Sequence, residues 1–139
     1  ISDLLKMFWE CHDPTQKNRQ GNDMGTQYRS AIYYKNKKNI EIILASKEQY
    51  QKELNKNNLG LIETEIKMID NYFYAENYHQ QYLASPGSRQ YCSASPTKVK
   101  LGHFIGSNYK LKDYIWENFN WEVNKCVLRS DNNPIKVNN

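Results

Sequence analysis

Asp23 and Tyr28 lie five residues apart in the stretch HDPTQKNRQGNDMGTQYRS, His12 to Ser30. A phenol is a hydrogen-bond donor with a pKa of about 10, and it can hold an oxyanion or a polarised oxygen. A carboxylate beside it can orient a water or a second donor. The plainer alternative is an Asx turn at Asp23 and a packed Tyr28, and without further context it is preferred. Glu76 and His79 have the i, i+3 spacing of a carboxylate–imidazole metal pair in helical bundles. Such a site needs a second pair, which the chain lacks, so both side chains read as hydrogen-bonding groups on a helix face. The thiols are Cys11, Cys92 and Cys126. Cys11 follows an apolar stripe at a helix C-terminus, where the dipole has the wrong sign for a thiolate, and it reads as a packed small hydrophobe. Cys92, between Tyr91 and Ser93, is the better reactive thiol, and Cys126 could be reactive or packed. No CxxC spacing exists and the count is odd, which argues against a zinc site or a disulfide scaffold.

Positioning these groups requires a frame, and its periodicities are legible. Residues 2–11 read as a helix with Ser2 as cap and Leu4, Leu5, Phe8 and Trp9 as its stripe. Asp13-Pro14 ends it, since the residue before proline is pushed out of the α region. The polar stretch to Ser30 is rich in Gly, Asn and Asp, residues that take positive φ and make Asx turns, so it reads as a steered, ligand-presenting loop. Tyr28 to Tyr34 reads as a strand with Tyr28, Ser30, Ile32 and Tyr34 on one face and Arg29, Ala31 and Tyr33 on the other. Asn36 to Lys56 is a long amphipathic helix along Ile40, Ile43, Leu44, Lys47, Tyr50 and Leu54. Leu61 to Ile69 alternates as a half-buried strand, and Ala75 to Leu83 reads as a short helix. Residues 84–108 lose periodicity and read as an extended tail wrapping the domain. A helix is possible within 111–129, and the last ten residues read as disordered.

The order helix, strand, helix, strand, short helix suits an α+β layer structure with an antiparallel sheet covered by helices. Two strands alone do not make a stable sheet, and the chain begins at Ile1, so upstream strands are expected to be missing. The length of 139 residues fits one domain plus at most an appendage. A net charge of +4 is mild, and Lys98, Lys100, Lys110 and Lys112 read as a solvated tail, so no nucleic-acid partner is expected. No apolar run approaches the ~20 residues of a membrane span and no signal peptide is visible. A cytoplasmic, intracellular monomer with reduced thiols is expected, some of which could cycle through a transient disulfide.

Two blocks narrow the reading. FWECHDPTQKNRQGNDMGTQYRSAIYY, Phe8 to Tyr34, and FYAENYHQQYL, Phe73 to Leu83, resemble in sequence, order and spacing the hallmark blocks of the A-type peptide methionine sulfoxide reductases. The likeness covers roughly residues 3–92. It implies a two-layer α/β sandwich with a mixed, mostly antiparallel sheet (a ferredoxin-like core), here lacking its first strand or strands and helix. It also implies a division into the C-terminal portion of the reductase domain, residues 1–91, and a tail, residues 92–139.

The family's chemistry would then apply. A cysteine thiolate attacks the sulfur of methionine S-sulfoxide, free or in a protein, methionine leaves, and a sulfenic acid remains. A resolving cysteine converts it to a disulfide, which thioredoxin or dithiothreitol reduces, with no metal or organic cofactor. Asp23 and Tyr28 match the family's residues that hold the sulfoxide oxygen or a water, while Glu76, His79 and Tyr82 would support them. Cys92 and Cys126 would be recycling thiols. The family's nucleophile lies in a GCFWG motif that this chain does not contain, and the glutamate that protonates the sulfoxide oxygen and a second tyrosine lie upstream with it. The 139 residues alone are therefore expected to be inactive, or to act as a non-catalytic binding fragment that retains part of the sulfoxide pocket.

Overall fold

A computed structural model of the chain describes residues 1–82, 86–87 and 92–118. Cys126 and the last ten residues lie outside the described residues. The elements in order are α1 (Ser2–Glu10), β1 (Arg19–Gln20), β2 (Asp23–Met24), a 3-10 turn (Thr26–Tyr28), β3 (Ala31–Tyr34), a second 3-10 turn (Lys37–Asn39), α2 (Ile40–Lys56), β4 (Glu65–Met68), a third 3-10 turn (Asn77–His79) and α3 (Asp113–Asn118). The α+β class expected from the sequence is observed.

The strands form two ladders. β1 and β2 make a two-residue antiparallel hairpin, Arg19 opposite Met24 and Gln20 opposite Asp23. β3 and β4 pair in parallel, from Ala31 opposite Glu65 to Tyr34 opposite Met68. One ladder is antiparallel and one parallel, in line with the mixed pairing expected, although the periodicity alone suggests an antiparallel sheet. The 17-residue α2 accounts for the parallel pair, because a helical crossover of that length returns the chain to the end where it started, as in a βαβ unit. The expected alternation holds. Ser30 and Thr64 are buried and their hydroxyls meet at 2.8 Å, with Ile32 and Ile66 packed on the core. On the outer face Arg29, Tyr33 and Glu65 bond one another, with Arg29 Nε 2.7 Å from Glu65 Oε2.

The core lies between α1, α2 and the segment around Val99 to Phe104. It comprises Leu5, Trp9, Ile43, Tyr50, Leu54, Ile62, Val99, Leu101 and Phe104. Trp9 stacks on Tyr50 with ring centroids 5.7 Å apart. Its indole N–H donates to Ser46 Oγ at 2.9 Å, which explains why a serine is fully buried on α2. The Tyr50 hydroxyl reaches Thr97 Oγ1 at 2.8 Å and donates to the Val99 carbonyl. Burial, the largest cause, raises its pKa well above the ordinary phenol value.

Residues 97–111 have no ladder of their own, so their N–H groups need other acceptors. Helix α1 supplies three. Glu10 Oε1 accepts from Leu101 N at 2.8 Å, Ser2 Oγ from Asn108 N at 2.9 Å, and Asp3 from Lys110 N at 2.8 Å and Leu111 N at 3.1 Å. Ser2 therefore does not cap α1, whose N-cap is Ile1 without a side-chain bond. Its hydroxyl serves the returning chain instead. Burial acts to raise the Asp3 carboxyl, but the two backbone N–H groups outweigh it and hold the pKa below the ordinary value. Lys6 donates to Glu10 at 2.5 Å, both side chains are nearly inaccessible, and the ammonium sits 5.2 Å from the centre of the Trp116 ring.

Removing one member of a buried ion pair leaves an uncompensated charge, at a cost of about 3–5 kcal/mol. Glu10→Ala is expected to lower the free energy of unfolding by that amount. Glu10→Gln keeps an acceptor for Leu101 N and is expected to cost less. Urea denaturation followed by tryptophan fluorescence measures both, and equal losses would contradict the assignment.

Candidate active site

The stretch after α1 is a braced scaffold. The Asp13 carboxylate accepts from Thr15 N at 2.9 Å, Thr15 Oγ1 at 2.7 Å and Gln16 Nε2 at 3.1 Å, an Asx turn extended by a neighbouring amide. Gln16 Oε1 accepts from Gly21 N at 2.8 Å. Gln20 spans the loop, donating to the Asp13 carbonyl at 3.0 Å and accepting from Asp13 N at 3.2 Å. Pro14 is fully buried and its carbonyl accepts from Glu63 N at 2.8 Å. Few of these groups are left free to move, so the hairpin carrying Asp23 has a defined position.

His12 fastens this scaffold to the sheet. Its Nδ1 lies 2.6 Å from the Phe8 carbonyl and its Nε2 lies 2.7 Å from Ser30 Oγ. A carbonyl only accepts, so Nδ1 carries the proton, and in the neutral ring Nε2 accepts from Ser30. Ser30 in turn meets Thr64. One line of hydrogen bonds thus joins α1, the start of β3 and the entry to β4. Burial is the main cause that pulls the His12 pKa below its ordinary value, against smaller opposing effects of the Phe8 carbonyl and Asp13.

Asp23, half-buried in β2, accepts a hydrogen bond from the Ser93 hydroxyl. Gln20 Oε1 also accepts from Ser95 N at 3.0 Å. The loop therefore holds the segment that begins with Cys92, and Cys92 is disulfide-bonded. Tyr28 ends the 3-10 turn that follows β2, with its N–H on the Gly25 carbonyl at 3.0 Å and 42% of its surface exposed. It lies in this turn and not in the strand, which starts at Ala31.

Glu76, His79 and Tyr82 are exposed and stand apart. The helix expected over residues 75–83 is a single 3-10 turn, closed by His79 N on the Glu76 carbonyl at 2.8 Å. The His79 ring contacts Tyr78 at 4.5 Å. No described hydrogen bond or ring contact joins these three residues to Asp23. Among the described residues, no group of three or more His, Cys, Asp and Glu could hold a metal ion. No helix of the described residues is long and apolar enough to cross a membrane.

Cys11 is a free, partly buried thiol whose Sγ lies 3.4 Å from the Phe8 carbonyl. Burial raises its pKa, so its thiolate is disfavoured. It packs as the sequence reading expected.

Residues 1–112 match the family model described as peptide methionine sulfoxide reductase. The chain belongs to the peptide methionine sulfoxide reductase family. It is 55% identical over 99 residues to the human mitochondrial peptide methionine sulfoxide reductase, covering 71% of this chain and 42% of that protein. It is 56% identical over 99 residues to the peptide methionine sulfoxide reductase MsrA of Ectopseudomonas mendocina, covering 70% and 44%. The fold matches the crystal structure of reduced Mxr1 from Saccharomyces cerevisiae with a TM-score of 0.55 at 31% identity, covering 69% of this chain and 51% of that one. The chain thus spans less than half the length of these two sequence relatives.

Sequence reasoning did not find Gln16, Gln20, His12, Ser30 or Ser93 as parts of the reductase scaffold. All five act across a turn or between distant segments, and a polar side chain in such a stretch carries no local signature of its partner.

The His12 geometry has a pH consequence. Its folded pKa lies below its unfolded value, so the unfolded chain binds the proton more readily. The stabilising contribution is complete above the unfolded pKa of about 6.5 and is lost as pH falls below it. Asp3, Glu48 and Glu65 are depressed below their ordinary values of 3.8, 4.5 and 4.5, so their contributions are lost only at lower pH. Urea midpoints are expected to decline between pH 7.5 and pH 5, and His12→Asn is expected to flatten that decline. Parallel profiles for the two proteins would refute it.

Proposed function

We propose that this chain supplies the oxygen-binding and recycling half of a methionine S-sulfoxide reductase. The observation that carries the reading is the Ser93–Asp23 hydrogen bond, which sets the residue after Cys92 against the carboxylate that matches the family's oxygen-positioning aspartate.

In the proposed reaction an upstream cysteine thiolate bonds to the sulfoxide sulfur. Protonation lets the sulfur–oxygen bond break and the oxygen leave as water, and a water then attacks the cysteine sulfur, expelling methionine and leaving a sulfenic acid on the cysteine with loss of a proton. Asp23 and Tyr28 hold the sulfoxide oxygen or a water, and a phenol donor there makes the sulfur more electrophilic. Cys92 attacks the sulfenic sulfur and expels water, and Cys126 then exchanges with it to give a recycling disulfide. A dithiol such as thioredoxin or dithiothreitol returns two electrons and two protons. The exposed Glu76, His79 and Tyr82 support the substrate side. The net change is one sulfoxide and two thiols to one thioether, one disulfide and one water.

No nucleophile for this step is evident in the 139 residues, since the Cys11 thiol is held protonated by burial. The isolated chain is therefore expected not to turn over a methionine S-sulfoxide peptide with dithiothreitol. Joining the N-terminal portion of the human mitochondrial relative ahead of Ile1 is expected to give a chimera that reduces the S-sulfoxide. In that chimera Asp23→Asn or Tyr28→Phe is expected to lower kcat by about 10²–10³, the range for losing one oxygen-stabilising group. Chromatographic assay of methionine formation decides. A folded chimera without activity, or one indifferent to both substitutions, would count against the reading.

A further inference from the structure

We propose that Gly21 and Gln20 are positioning residues for the recycling disulfide. They form a seat on the loop that fixes the main chain of residues 93–95 and, through it, Cys92. The inference rests on Cys92 acting as a recycling thiol.

Gly21 has φ +58°, in the left-handed region. Two of the atoms that a Cβ there would meet are main-chain atoms of Ser93, the carbonyl oxygen at 1.9 Å and the carbonyl carbon at 3.0 Å. Neither can swing aside as a side chain would, so a Cβ moves the segment or breaks the contact. The residues on either side fix the same segment. Gln20 accepts from Ser95 N, and two residues after Gly21 the Asp23 carboxylate accepts from Ser93 Oγ. Three successive contacts thus hold a segment that has no ladder or helix of its own. Cys92 is disulfide-bonded in this arrangement.

The physical effect is on the probability that two sulfurs meet. A segment held in place has already lost the backbone freedom that forming a disulfide would otherwise remove. Loosening the seat therefore shifts the exchange equilibrium toward the dithiol. In that exchange a dithiothreitol thiolate bonds to one cysteine sulfur and the other leaves as a thiolate that takes up a proton. The second dithiothreitol thiol then closes on the mixed disulfide, giving oxidised dithiothreitol and two cysteine thiols.

The test titrates the 139-residue chain against reduced and oxidised dithiothreitol at fixed pH and scores Cys92 by alkylation and mass spectrometry. Gly21→Ala is expected to favour the dithiol by about fivefold or more, the effect of freeing roughly one residue. Gln20→Ala, which removes the Ser95 acceptor, is expected to shift it in the same direction and serves if Gly21→Ala does not fold. Gly102→Ala is the control, since Gly102 has φ +69° and a Cβ there meets nothing within 4 Å. It carries the same conformational strain without the close approach, and its equilibrium is expected to match the parent chain. A Gly21→Ala equilibrium equal to that of Gly102→Ala, or an unshifted Gln20→Ala, overturns the seat. Undiminished thioredoxin-supported turnover by a Cys92→Ser chimera overturns the recycling role itself and leaves the exchange measurements standing.

Discussion

The buried Lys6–Glu10 pair is the constraint on which the rest of the fold depends. A charge taken out of water needs a partner and filled hydrogen-bonding positions. Glu10 meets this through Oε1, which accepts from Lys6 and from the Leu101 N–H, and through Oε2, which faces Lys100 at 3.5 Å. Lys6 meets it with Glu10 and the faces of Tyr109 and Trp116. Apart from each other, these two side chains find their partners on the returning segment, so α1 reaches its low-energy state only when residues 100–116 are wrapped around it. The wrap depends equally on α1, whose Ser2, Asp3 and Glu10 accept four of its otherwise unpaired N–H groups. Val99, Leu101 and Phe104 enter the core as a consequence of that polar clamp.

The same helix sets the loop. Its C-terminal turn presents the Phe8 carbonyl to His12, and His12 carries the connection through Ser30 to Thr64. The Asp13 and Gln20 braces start one residue later. Asp23 is therefore referenced to α1 through a short series of hydrogen bonds, and the Cys92 segment is referenced to Asp23. The role proposed for Asp23 gains from such fixing, because a displacement of about 1 Å in a reacting geometry can cost about a hundredfold in rate.

Much of this frame was legible in periodicity. The two helices, the alternation in both four-residue strands and the loop between them follow from apolar spacing and turn residues. Three kinds of feature were not. Nothing local reveals that a segment some 90 residues away covers Lys6 and Glu10. Leu4 and Leu44 read as core and are 68% and 49% exposed, whereas Ser46 is fully buried because it receives the Trp9 N–H. Parallel pairing is a property of the crossover between strands, and a strand's own residues do not encode it. Asp23 and Tyr28 are proposed from residue type and family resemblance together. The glutamine braces and the Ser93 contact depend on tertiary placement that neither source contains.

Two parallel strands of four residues are marginal as an isolated sheet. Here β3 and β4 are held from both faces. Inside, the buried Ser30–Thr64 pair and the packing of Ile32 and Ile66 tie them to the helices. Outside, Arg29 and Glu65 bridge across the ladder with Tyr33 bonded to both, and because this triad faces solvent its net worth is small. The inner face must therefore supply most of the cohesion. Between α1 and β3 that face opens into a groove of about 550 Å³ lined by Ile1, Leu4, Phe8, Ile32, Tyr34 and Ile43 among others. Apolar surface left against water there forgoes roughly 25 cal/mol per Å², so the His12–Ser30–Thr64 line of hydrogen bonds adds a polar tie where the apolar contact between α1 and the sheet is open. His12, just past the end of α1, thus joins that helix to both strands by hydrogen bonds.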